Sequence, residues 1–370
     1  MKRRHALGAA ALGITTSVLT SCAGGQRSRP AVESDSDLPQ IRWRMATSWP
    51  VSLDTIFGGA AMVCERVRLL SGGRFDIRPY AAGELVPGLE VLDAVQSGSV
   101  QCGHTAAYYY VGKNPAFAFA TSVPFGLDAQ QQNAWLYEGG GNAAVDRLFA
   151  DFGARAFPAG NTGTQMGGWF KRQIDSPADL QGLKMRIPGL GGKVMAALGV
   201  NVQVLPGGEI FLALERGAID AAEWTGPYDD EKLGLNRAAD FYYHPGWWEP
   251  GPTVHALVNE EQWAALPKIY QDMFSSACHQ ANLRMLCRYE ALNGTTLTRL
   301  LAGGTQLMTY SDEILQAARD ASFQLYADSA RGDADFRRLF EQWRGFRAEL
   351  MAWNRTVYPL TRFLHQSEVS

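Results

Sequence analysis

The chain has 370 residues, of which 46% are hydrophobic and 19% are charged, with a formal net charge of −3. This is an ordinary globular composition, and the length suffices for about two domains with sizeable cores. The basic residues are scattered along the chain, so we expect no nucleic-acid partner.

Residues 1–22 predict a secretory signal peptide, because a basic start is followed by an apolar stretch and then by small residues. The apolar stretch is too short, and too poor in large side chains, to predict a good membrane-spanning helix. Arg3 and Arg4 resemble the start of a twin-arginine export signal. The mature protein is therefore expected outside the cytoplasmic membrane.

The sequence LTSC, which ends at Cys22, resembles the lipobox of bacterial lipoproteins. In such proteins the cysteine is lipidated and becomes the new N-terminus. The alternative is ordinary cleavage after Ala23. Residues 23–40 are polar and rich in Gly, Pro and Ser, as in a flexible tether. Because a tether suits an anchored protein, we favour lipidation of Cys22.

The folded part is expected to begin near Ile41, where IRWRMATSW alternates as a strand does. An amphipathic pattern that ends at Gly72–Gly73 predicts a helix, and RFDIRPY predicts the next strand. Recurrence of this order is typical of an α/β protein with largely parallel sheets. From about Glu260 the pattern becomes mostly helical, with strong apolar periodicity over 312–327 and 335–354.

Two segments, Val91–His104 and Ile210–Glu223, can be superposed without a gap. In each, an apolar helix face ends at a glycine and a strand follows at once, with a Gly–Glu pair just upstream. A C-terminal glycine at any helix-to-strand joint would explain part of this match. The fuller match predicts two lobes with one plan, in which His104 is the counterpart of Glu223.

We predict a first lobe from residues 41–160 plus about 256–300, a second lobe from 161–255, and C-terminal helices over 301–370 that serve packing or dimerisation. No Gly/Ser linker divides the body, so the lobes should be connected more than once. Ligands of open α/β sheets bind beyond the carboxyl ends of strands. Strand ends from both lobes would therefore face one crevice.

Arg186 should end a strand, because Pro188 and Gly189 follow it closely. A guanidinium at that place suits bidentate capture of a carboxylate, and a structural ion pair with an acid of this protein is the alternative. Gln165 lies among glycines, which allow close backbone approach. Its amide oxygen could ligate a hard cation or orient a ligand, unless it is a core glutamine with its hydrogen bonds satisfied.

Glu223 and Trp224 offer a carboxylate, an indole and a backbone carbonyl at the end of a predicted strand. Hard cations such as Na⁺ or Ca²⁺ take carboxylate and carbonyl oxygens. Asp229, Asp230 and Glu231 follow, and we interpret this acidic run as the solvated start of the next helix.

Catalytic signatures are missing from the sequence, which has neither a G-x-S-x-G elbow nor an H-E-x-x-H helix. No histidine pair has metal-ligand spacing, and we interpret His104, His244 and His255 as structural. Cys278 and Cys287 would lie about 13 Å apart on one helix, which is too far for a disulfide. We expect buried or free thiols for the four cysteines beyond the leader, and no metal site built from them.

Several stretches resemble the solute receptors of TRAP transporters, and more narrowly the subgroup that binds 2-oxo acids or lactate together with a metal ion. The resemblance runs from about Ile41 to Pro267. It is carried by YAAGELVPGLEVLDAVQSGSVQCGHTAAYYYVGKNPAF, FPAGNTGTQMGGWF, LQGLKMRIPGLGG, LPGGEIFLALERGAIDAAEWTGP and WWEPG. The resemblance implies a two-lobed, periplasmic-binding-protein-like α/β fold with an interlobe cleft.

The resemblance also implies roles for single residues. Arg186, in MRIPG, is similar to the arginine that pairs with the substrate carboxylate. Gln165 resembles the family's contact to both metal and substrate. Glu223 by its carboxylate, and Trp224 by its carbonyl, resemble the pair that completes the metal site, with Na⁺ or Ca²⁺ as the ion.

Tyr108 and Tyr109 resemble aromatic wall and hydroxyl contacts of the family, and Glu249 lies in a motif near the cleft. Receptors of this subgroup are often dimers that exchange C-terminal helices, which implies a possible homodimer here. The chain departs from the usual HEPG, because Trp248 precedes Glu249 and Trp247 precedes that. The extra indoles could shrink the site or face outward into a dimer contact.

We therefore predict an extracytoplasmic receptor, not an enzyme, that closes two lobes around a small monocarboxylate and a cation. The ligand would be a 2-oxo or 2-hydroxy acid such as pyruvate or lactate, delivered to the TRAP membrane permease subunits. One rival is a binding protein that presents its closed form to a sensor kinase. Another is a secreted lyase or hydrolase with Glu223 as general base and Arg186 as oxyanion partner.

Overall fold

The computed structural model describes residues 38–358. The predicted signal peptide, its arginine pair, Cys22 and nearly all of the predicted tether lie outside these residues, as does the end of the chain from 359 onward. The Pro39 carbonyl already accepts a hydrogen bond from the Tyr270 hydroxyl, at 2.8 Å. Within 38–358, none of the helices is long and apolar enough to span a bilayer.

The elements alternate as the sequence predicts, and the first predicted strand, helix and strand are found as β1, α1 and β2. Strands β1 to β11 are, in chain order, Ile41–Thr47, Phe75–Tyr80, Cys102–Thr105, Ala154–Asn161, Trp169–Phe170, Lys184–Arg186, Asn201–Gln203, Ala221–Ala222, Phe241–His244, Thr253–Asn259 and Gln306–Thr309. Helices α1 to α12 are Ile56–Leu70, Val91–Gln96, Phe117–Thr121, Ala129–Tyr137, Gly141–Ala150, Gly189–Ala197, Gly207–Glu215, Pro227–Leu233, Glu260–Ala264, Lys268–Ala302, Asp312–Gly332 and Ala334–Val357. Short 3₁₀ turns lie at Ala107–Tyr110, Pro177–Leu180 and Leu235–Arg237.

The strands form two sheets that share one plan. The first sheet has the order β2-β1-β3-β10-β4, and the second has the order β11-β9-β5-β8-β6-β7. In the first, β1 is parallel to β2 and β3, whereas β10 is antiparallel to β3 and β4. In the second, β6 is parallel to β7 and β8, whereas β5 is antiparallel to β8 and β9. The repeated plan predicted from the sequence overlay is thus confirmed by strand order and direction.

Strands β3 and β8 occupy the same place in their sheets. Each lies between one parallel and one antiparallel neighbour. His104 lies within β3, and Glu223 directly follows β8. Since strand direction changes at this place, the two residues mark corresponding points in two related sheets.

The chain passes between the sheets at three places: from β4 to β5, from β9 to β10, and from α9 and α10 to β11. Two predicted boundaries differ from the structure. Strand β10 begins at Thr253 and belongs to the first sheet, although the second lobe was predicted to extend to 255. Residues 306–309, within the predicted helical region, form β11 at the edge of the second sheet. This strand is short and largely exposed, so it lacks the apolar alternation that identifies a strand.

The long helix α10 contacts both halves of the structure. It packs against α1 and β4 on the first sheet and against α8 on the second. Its 35 residues span about 52 Å. Helix α12 packs on α3, α4 and α5 through Phe336, Leu339 and Trp343, while α11 contacts α6 and α12.

The four cysteines of the described chain are free thiols, as predicted. Cys64, Cys102 and Cys278 are buried, and Cys287 is exposed on α10. Burial raises the pKa of each buried thiol, so these sulfurs behave as apolar core atoms.

Candidate functional site

Arg186 ends β6 and is buried, with 1% of its surface exposed. Its Nη1 donates to the Glu223 carbonyl at 2.8 Å and also to Oε1 of the Glu223 carboxylate. Its Nε donates to the Leu205 carbonyl at 3.1 Å, and its Nη2 has no hydrogen-bond acceptor within the described residues. The structure thus shows the ion pair that the sequence left as an alternative, together with one unused guanidinium donor.

Glu223 is fully buried immediately after β8. One carboxylate oxygen receives Arg186, but Oε2 lacks a hydrogen-bond donor in the described part of the chain. Burial raises the pKa of Glu223 to about 8, against the opposing effect of Arg186 and with a further increase from Asp230. A buried acid with one bare oxygen is costly to ionise unless another positive charge approaches it.

Trp224 lies with its indole against Arg186, whose Cζ is 5.1 Å from the ring centroid. A cation near an aromatic face is electrostatically favourable. The ring also packs close to Gly207, where an added Cβ would lie only 2.6 Å from the indole. A larger residue at 207 would therefore displace the indole from the guanidinium.

Gln165 lies in the passage from β4 to β5 and is buried. Its Nε2 donates to Thr162 Oγ1 at 3.1 Å and its backbone N–H donates to the Glu249 carbonyl at 3.2 Å. No donor reaches its Oε1 in the described part of the chain. An added Cβ at Gly246 would lie 2.3 Å from the Gln165 carbonyl, so only glycine permits this approach.

Glu249, in the passage from β9 to β10, and Tyr108, in the turn after β3, also belong to this group. The Tyr108 hydroxyl donates to Glu249 Oε2 at 3.4 Å, and both side chains are buried. Burial raises the pKa of Glu249 well above its usual range, and the nearby Glu223 raises it further. Tyr109 lies beside Tyr108 in an edge-to-face contact, with ring centroids 5.0 Å apart.

Two cavities share Tyr108 and Tyr109 in their walls. The smaller, about 10 Å³, is also lined by Gln165 and Trp224, and a volume of this size holds about one water-sized group. The larger, about 300 Å³, is bordered by the start of α6, including Gly189 and its apolar neighbours. Four of the predicted site residues, Tyr108, Tyr109, Gln165 and Trp224, therefore line one small space, and its two tyrosines also border the larger apolar cavity.

The acidic run after Tyr228 corrects one prediction. It does begin a helix, α8, but Asp229 and Asp230 are buried rather than solvated. Burial raises the pKa of Asp229 to about 7 and that of Asp230 to about 6. Asp229 accepts the Tyr289 hydroxyl at 2.6 Å, a contact 60 residues away in sequence that no local pattern reveals.

Trp247 and Trp248 were predicted either to shrink the site or to face outward into a dimer contact, and the structure shows neither arrangement. Both are buried in the core on the second sheet, with 4% and 1% of their surfaces exposed. Trp247 stacks on Phe125 at 5.3 Å, and Trp248 packs against Gly191 and the Tyr310 ring. They line neither of the two cavities and offer no outward face for a dimer.

His104 has the structural role predicted from sequence. Its Nδ1 accepts from Trp49 Nε1 at 2.8 Å, so Nε2 carries the proton and donates to the Ala159 carbonyl at 3.2 Å. Burial lowers its pKa to about 4. Sequence reasoning missed Trp49, which lines the small cavity and whose ring lies 6.3 Å from that of Trp224.

The donor set of the site is made of oxygens. Among the described residues no group of three or more His, Cys, Asp and Glu side chains is arranged to hold a metal. The bare Oε2 of Glu223 and Oε1 of Gln165 are instead the hard oxygen atoms that Na⁺ and Ca²⁺ prefer.

Two sheets of one plan, joined by three passages and enclosing a buried arginine with bare oxygens, define a solute-binding protein of the two-lobed α/β class. Residues 45–333 match the model of the family described as bacterial extracellular solute-binding protein, family 7, also called DctP. The chain belongs to this family, whose members include the solute-binding proteins of TRAP transporters.

The most informative relatives cover nearly the whole chain. A monocarboxylate 2-oxoacid-binding periplasmic protein of Nostoc sp. is 63% identical over 355 residues, which are 96% of this chain and 96% of the relative. A TRAP solute-binding protein of Bordetella bronchiseptica, crystallised as a mixed-occupancy dimer with calcium and picolinate, is 44% identical with a TM-score of 0.87, covering 88% of this chain and 97% of that one. One from Pseudoalteromonas atlantica, with sodium and pyruvate, is 35% identical with a TM-score of 0.85, covering 89% and 100%.

Proposed function

We propose that this receptor captures a small 2-oxo monocarboxylate such as pyruvate, together with Na⁺ or Ca²⁺, and delivers it to the membrane subunits of a TRAP transporter. The Nostoc relative carries 2-oxoacid binding in its name, and the two crystal structures hold a cation with picolinate or with pyruvate. A 2-hydroxy acid such as lactate offers similar oxygens and is the nearest alternative ligand.

The observation that carries the proposal is a set of buried polar atoms without partners. Glu223 Oε2, Gln165 Oε1 and Arg186 Nη2 are all buried and unpaired in the described part of the chain. Such atoms are rare and costly in folded proteins, so each deserves a partner. Two acceptors and one charged donor suit a cation and a carboxylate that bind together.

Charge balance supports binding of both groups at once. The site already holds two acids, Glu223 and Glu249, beside one arginine, Arg186. A bare carboxylate would add negative charge to a buried space that disfavours it. A bound Na⁺ or Ca²⁺ would supply positive charge between Glu223, Gln165 and the Trp224 carbonyl.

Arg186 would then change partners. In the structure its Nη1 holds Glu223, and its Nη2 is unused. Once Glu223 is compensated by a cation, the guanidinium can present both nitrogens to the ligand carboxylate. The Trp224 indole limits its movement from one side.

Contacts from both sheets would couple binding to closure. Tyr108 follows β3 in the first sheet, whereas Arg186 ends β6 in the second. A ligand that touches both favours the closed arrangement by its differential affinity for it. We propose the predicted lobes on this basis, with β10 assigned to the first and β11 to the second.

Calorimetry with pyruvate, before and after treatment with a chelator in sodium-free buffer, tests the proposal. We expect binding that requires added Ca²⁺ or Na⁺, and pyruvate that NMR recovers unchanged after hours. Binding that is indifferent to both cations would contradict the shared site. Turnover of the ligand would contradict a receptor.

We further propose that Cys22 is lipidated and anchors the protein, and that Arg3 and Arg4 direct twin-arginine export. The basis is the lipobox-like sequence and the polar segment that follows it. Cys22→Ser should release the protein into the soluble periplasmic fraction, and Arg3→Lys with Arg4→Lys should block export. An unchanged membrane fraction for Cys22→Ser would contradict the anchor.

A homodimer through α11 and α12 is a separate proposal. The Bordetella structure is a dimer, and Trp353 on α12 is 61% exposed. Light scattering of the full mature chain should give twice the monomer mass, and Trp353→Asp should restore the monomer. A monomer at all concentrations would contradict it.

A further inference from the structure

Asp230 lies in the first turn of α8 and accepts four hydrogen bonds although it is almost fully buried, with 1% of its surface exposed. Its Oδ2 receives Trp169 Nε1 at 2.9 Å and the Tyr242 hydroxyl at 2.7 Å. Its Oδ1 receives the backbone N–H groups of Thr225 and Gly226, both at 3.2 Å. No ion pair found among residues 38–358 includes it.

The Thr225 N–H belongs to the same peptide group as the Trp224 carbonyl. This peptide bond is trans, since the described chain has its cis bond at His244–Pro245. In a trans peptide the N–H and C=O lie in one plane and point in opposite directions. By holding the Thr225 N–H, Asp230 therefore fixes the direction in which the Trp224 carbonyl points.

The preceding peptide is fixed from the other side. The Glu223 N–H donates to the Arg186 carbonyl at 3.2 Å, and the Glu223 carbonyl accepts from Arg186 Nη1 at 2.8 Å. The Trp224 carbonyl thus lies between one residue held by Arg186 and another held by Asp230. Little freedom remains for this peptide plane to rotate.

The hydrogen bonds of Asp230 also connect to the loop that carries Gln165. Asp230 receives the Gly226 N–H, and the carbonyl of that same peptide, on Thr225, accepts from the Met166 N–H at 3.2 Å. The Met166 N–H in turn shares a peptide group with Gln165. One carboxylate therefore aligns the backbone of two segments that the proposed function assigns to the cation.

We propose that Asp230 is a positioning residue of the cation site, which aims and polarises the Trp224 carbonyl through the peptide that they share. A negative acceptor on the N–H side of a peptide increases the negative partial charge on its oxygen. The carbonyl would consequently be a stronger ligand for a hard cation than a free peptide oxygen. This inference rests on the proposed function, in which Trp224 contributes that carbonyl.

The test compares Asp230→Asn with Tyr242→Phe. The first removes the charge at constant size, whereas the second removes one bond to Oδ2 and leaves Oδ1 on the backbone. Ca²⁺ affinity is measured by calorimetry at saturating pyruvate, and ligand-free stability by urea unfolding with chelator. Both variants should lose stability, which controls for a merely structural effect.

We expect Asp230→Asn to raise the Ca²⁺ dissociation constant roughly tenfold, since bonds to charged acceptors are about twice as strong as neutral ones. Tyr242→Phe should leave that constant within about twofold. Asp230→Ala should weaken Ca²⁺ binding further. If the alanine variant does not fold, the Ca²⁺ affinity of Asp230→Asn still tests the positioning role.

Equal effects of Asp230→Asn and Tyr242→Phe on Ca²⁺ affinity, or no effect of the former, would overturn the positioning role alone. A wild-type protein that binds pyruvate without any need for a cation would overturn the proposed function as well. The two failures are therefore distinguished by the wild-type titration.

Discussion

The ends of strands β3 and β8 hold equivalent places in two related sheets, yet they have opposite chemistry. At β3, His104 has both ring nitrogens paired and a pKa lowered by burial, so it is neutral. At β8, Glu223 keeps a bare oxygen beside Arg186. The first end completes its own hydrogen bonding and stabilises the fold, whereas the second leaves a buried carboxylate oxygen without a partner in the described chain, where we propose that the cation binds.

The largest expected effect is a loss of pyruvate affinity when the arginine beside Glu223 is removed. Arg186→Ala should raise the pyruvate dissociation constant more than about 100-fold, because the carboxylate loses its buried charged partner. Lys184→Ala, on the same strand but exposed, should leave it unchanged. Calorimetry of both variants is the measurement, and an unaltered affinity for Arg186→Ala would remove the arginine from the site.

On the structural side, His104→Ala should lower the free energy of unfolding by about 3 kcal/mol, because it leaves a cavity and strands the Trp49 N–H. Pyruvate affinity should change by less than about threefold. Urea unfolding and calorimetry separate the two effects. A large loss of affinity in a folded His104→Ala variant would place this residue in the binding site after all.

The pH dependence of stability sharpens the same contrast. His104 has a pKa of about 4 in the folded protein against 6.5 in the unfolded chain. Between these values His104 binds more protons in the unfolded chain, so its own contribution to stability is lost as the pH falls through this window, by up to about 3 kcal/mol. His255, whose pKa is lowered to about 3, acts in the same direction. Asp229 and Asp230, whose pKa values are raised by burial, act in the opposite direction. The difference between the urea midpoints of the wild type and His104→Ala should therefore narrow as the pH falls over this range.

A smaller effect is expected within the 3₁₀ turn after β3, where neighbouring tyrosines face different ways. The Tyr108 hydroxyl donates to Glu249, whereas the buried Tyr110 hydroxyl accepts the Leu92 N–H of α2 at 3.1 Å. Tyr108→Phe should weaken pyruvate binding about fivefold, and Tyr110→Phe should reduce stability instead. Comparable effects of both variants on affinity would show that the turn acts as one unit.

The smallest effect is expected at the surface. Asp54, before α1, accepts from Lys232 and Tyr228 of α8 and from Arg288 of α10. Exposed ion pairs contribute little and are screened by salt. Because Asp54 links the segment before α1 to α8 and α10, Asp54→Asn should weaken pyruvate binding slightly, by about twofold at low ionic strength. In high salt, where the ion pairs are screened, the substitution should have no effect. An effect that persists in high salt would indicate a role beyond charge attraction.

Local patterns predicted the residues whose position depends on their immediate neighbours. Arg186 ends its strand because Pro188 and Gly189 follow, and Glu223 was identified because it stands at the end of a predicted strand. The burial of Asp230 could not be predicted, because the indole that donates to it, that of Trp169, lies 61 residues away in the chain.

Wrong positions were also predicted for residues whose local pattern fits more than one structure. Trp248 stands beside Glu249 in a motif that the resemblance places near the cleft. Its side chain is instead buried against Gly191 and Tyr310, which are distant in the sequence. Strand β11 is short and exposed, so only its pairing with β9 reveals it. Such features depend on contacts between distant segments, which periodicity does not contain.

The three passages of the chain between the sheets have a consequence for melting. From Pro39 onward, the described chain clusters as a single unit, and α10 contacts strands of the first sheet as well as helix α8. Unfolding of one sheet would disrupt all three connecting segments and would remove part of the contacts that hold α10. We therefore expect that neither half remains folded alone. Heat should therefore melt the receptor in one cooperative transition, with equal calorimetric and van't Hoff enthalpies.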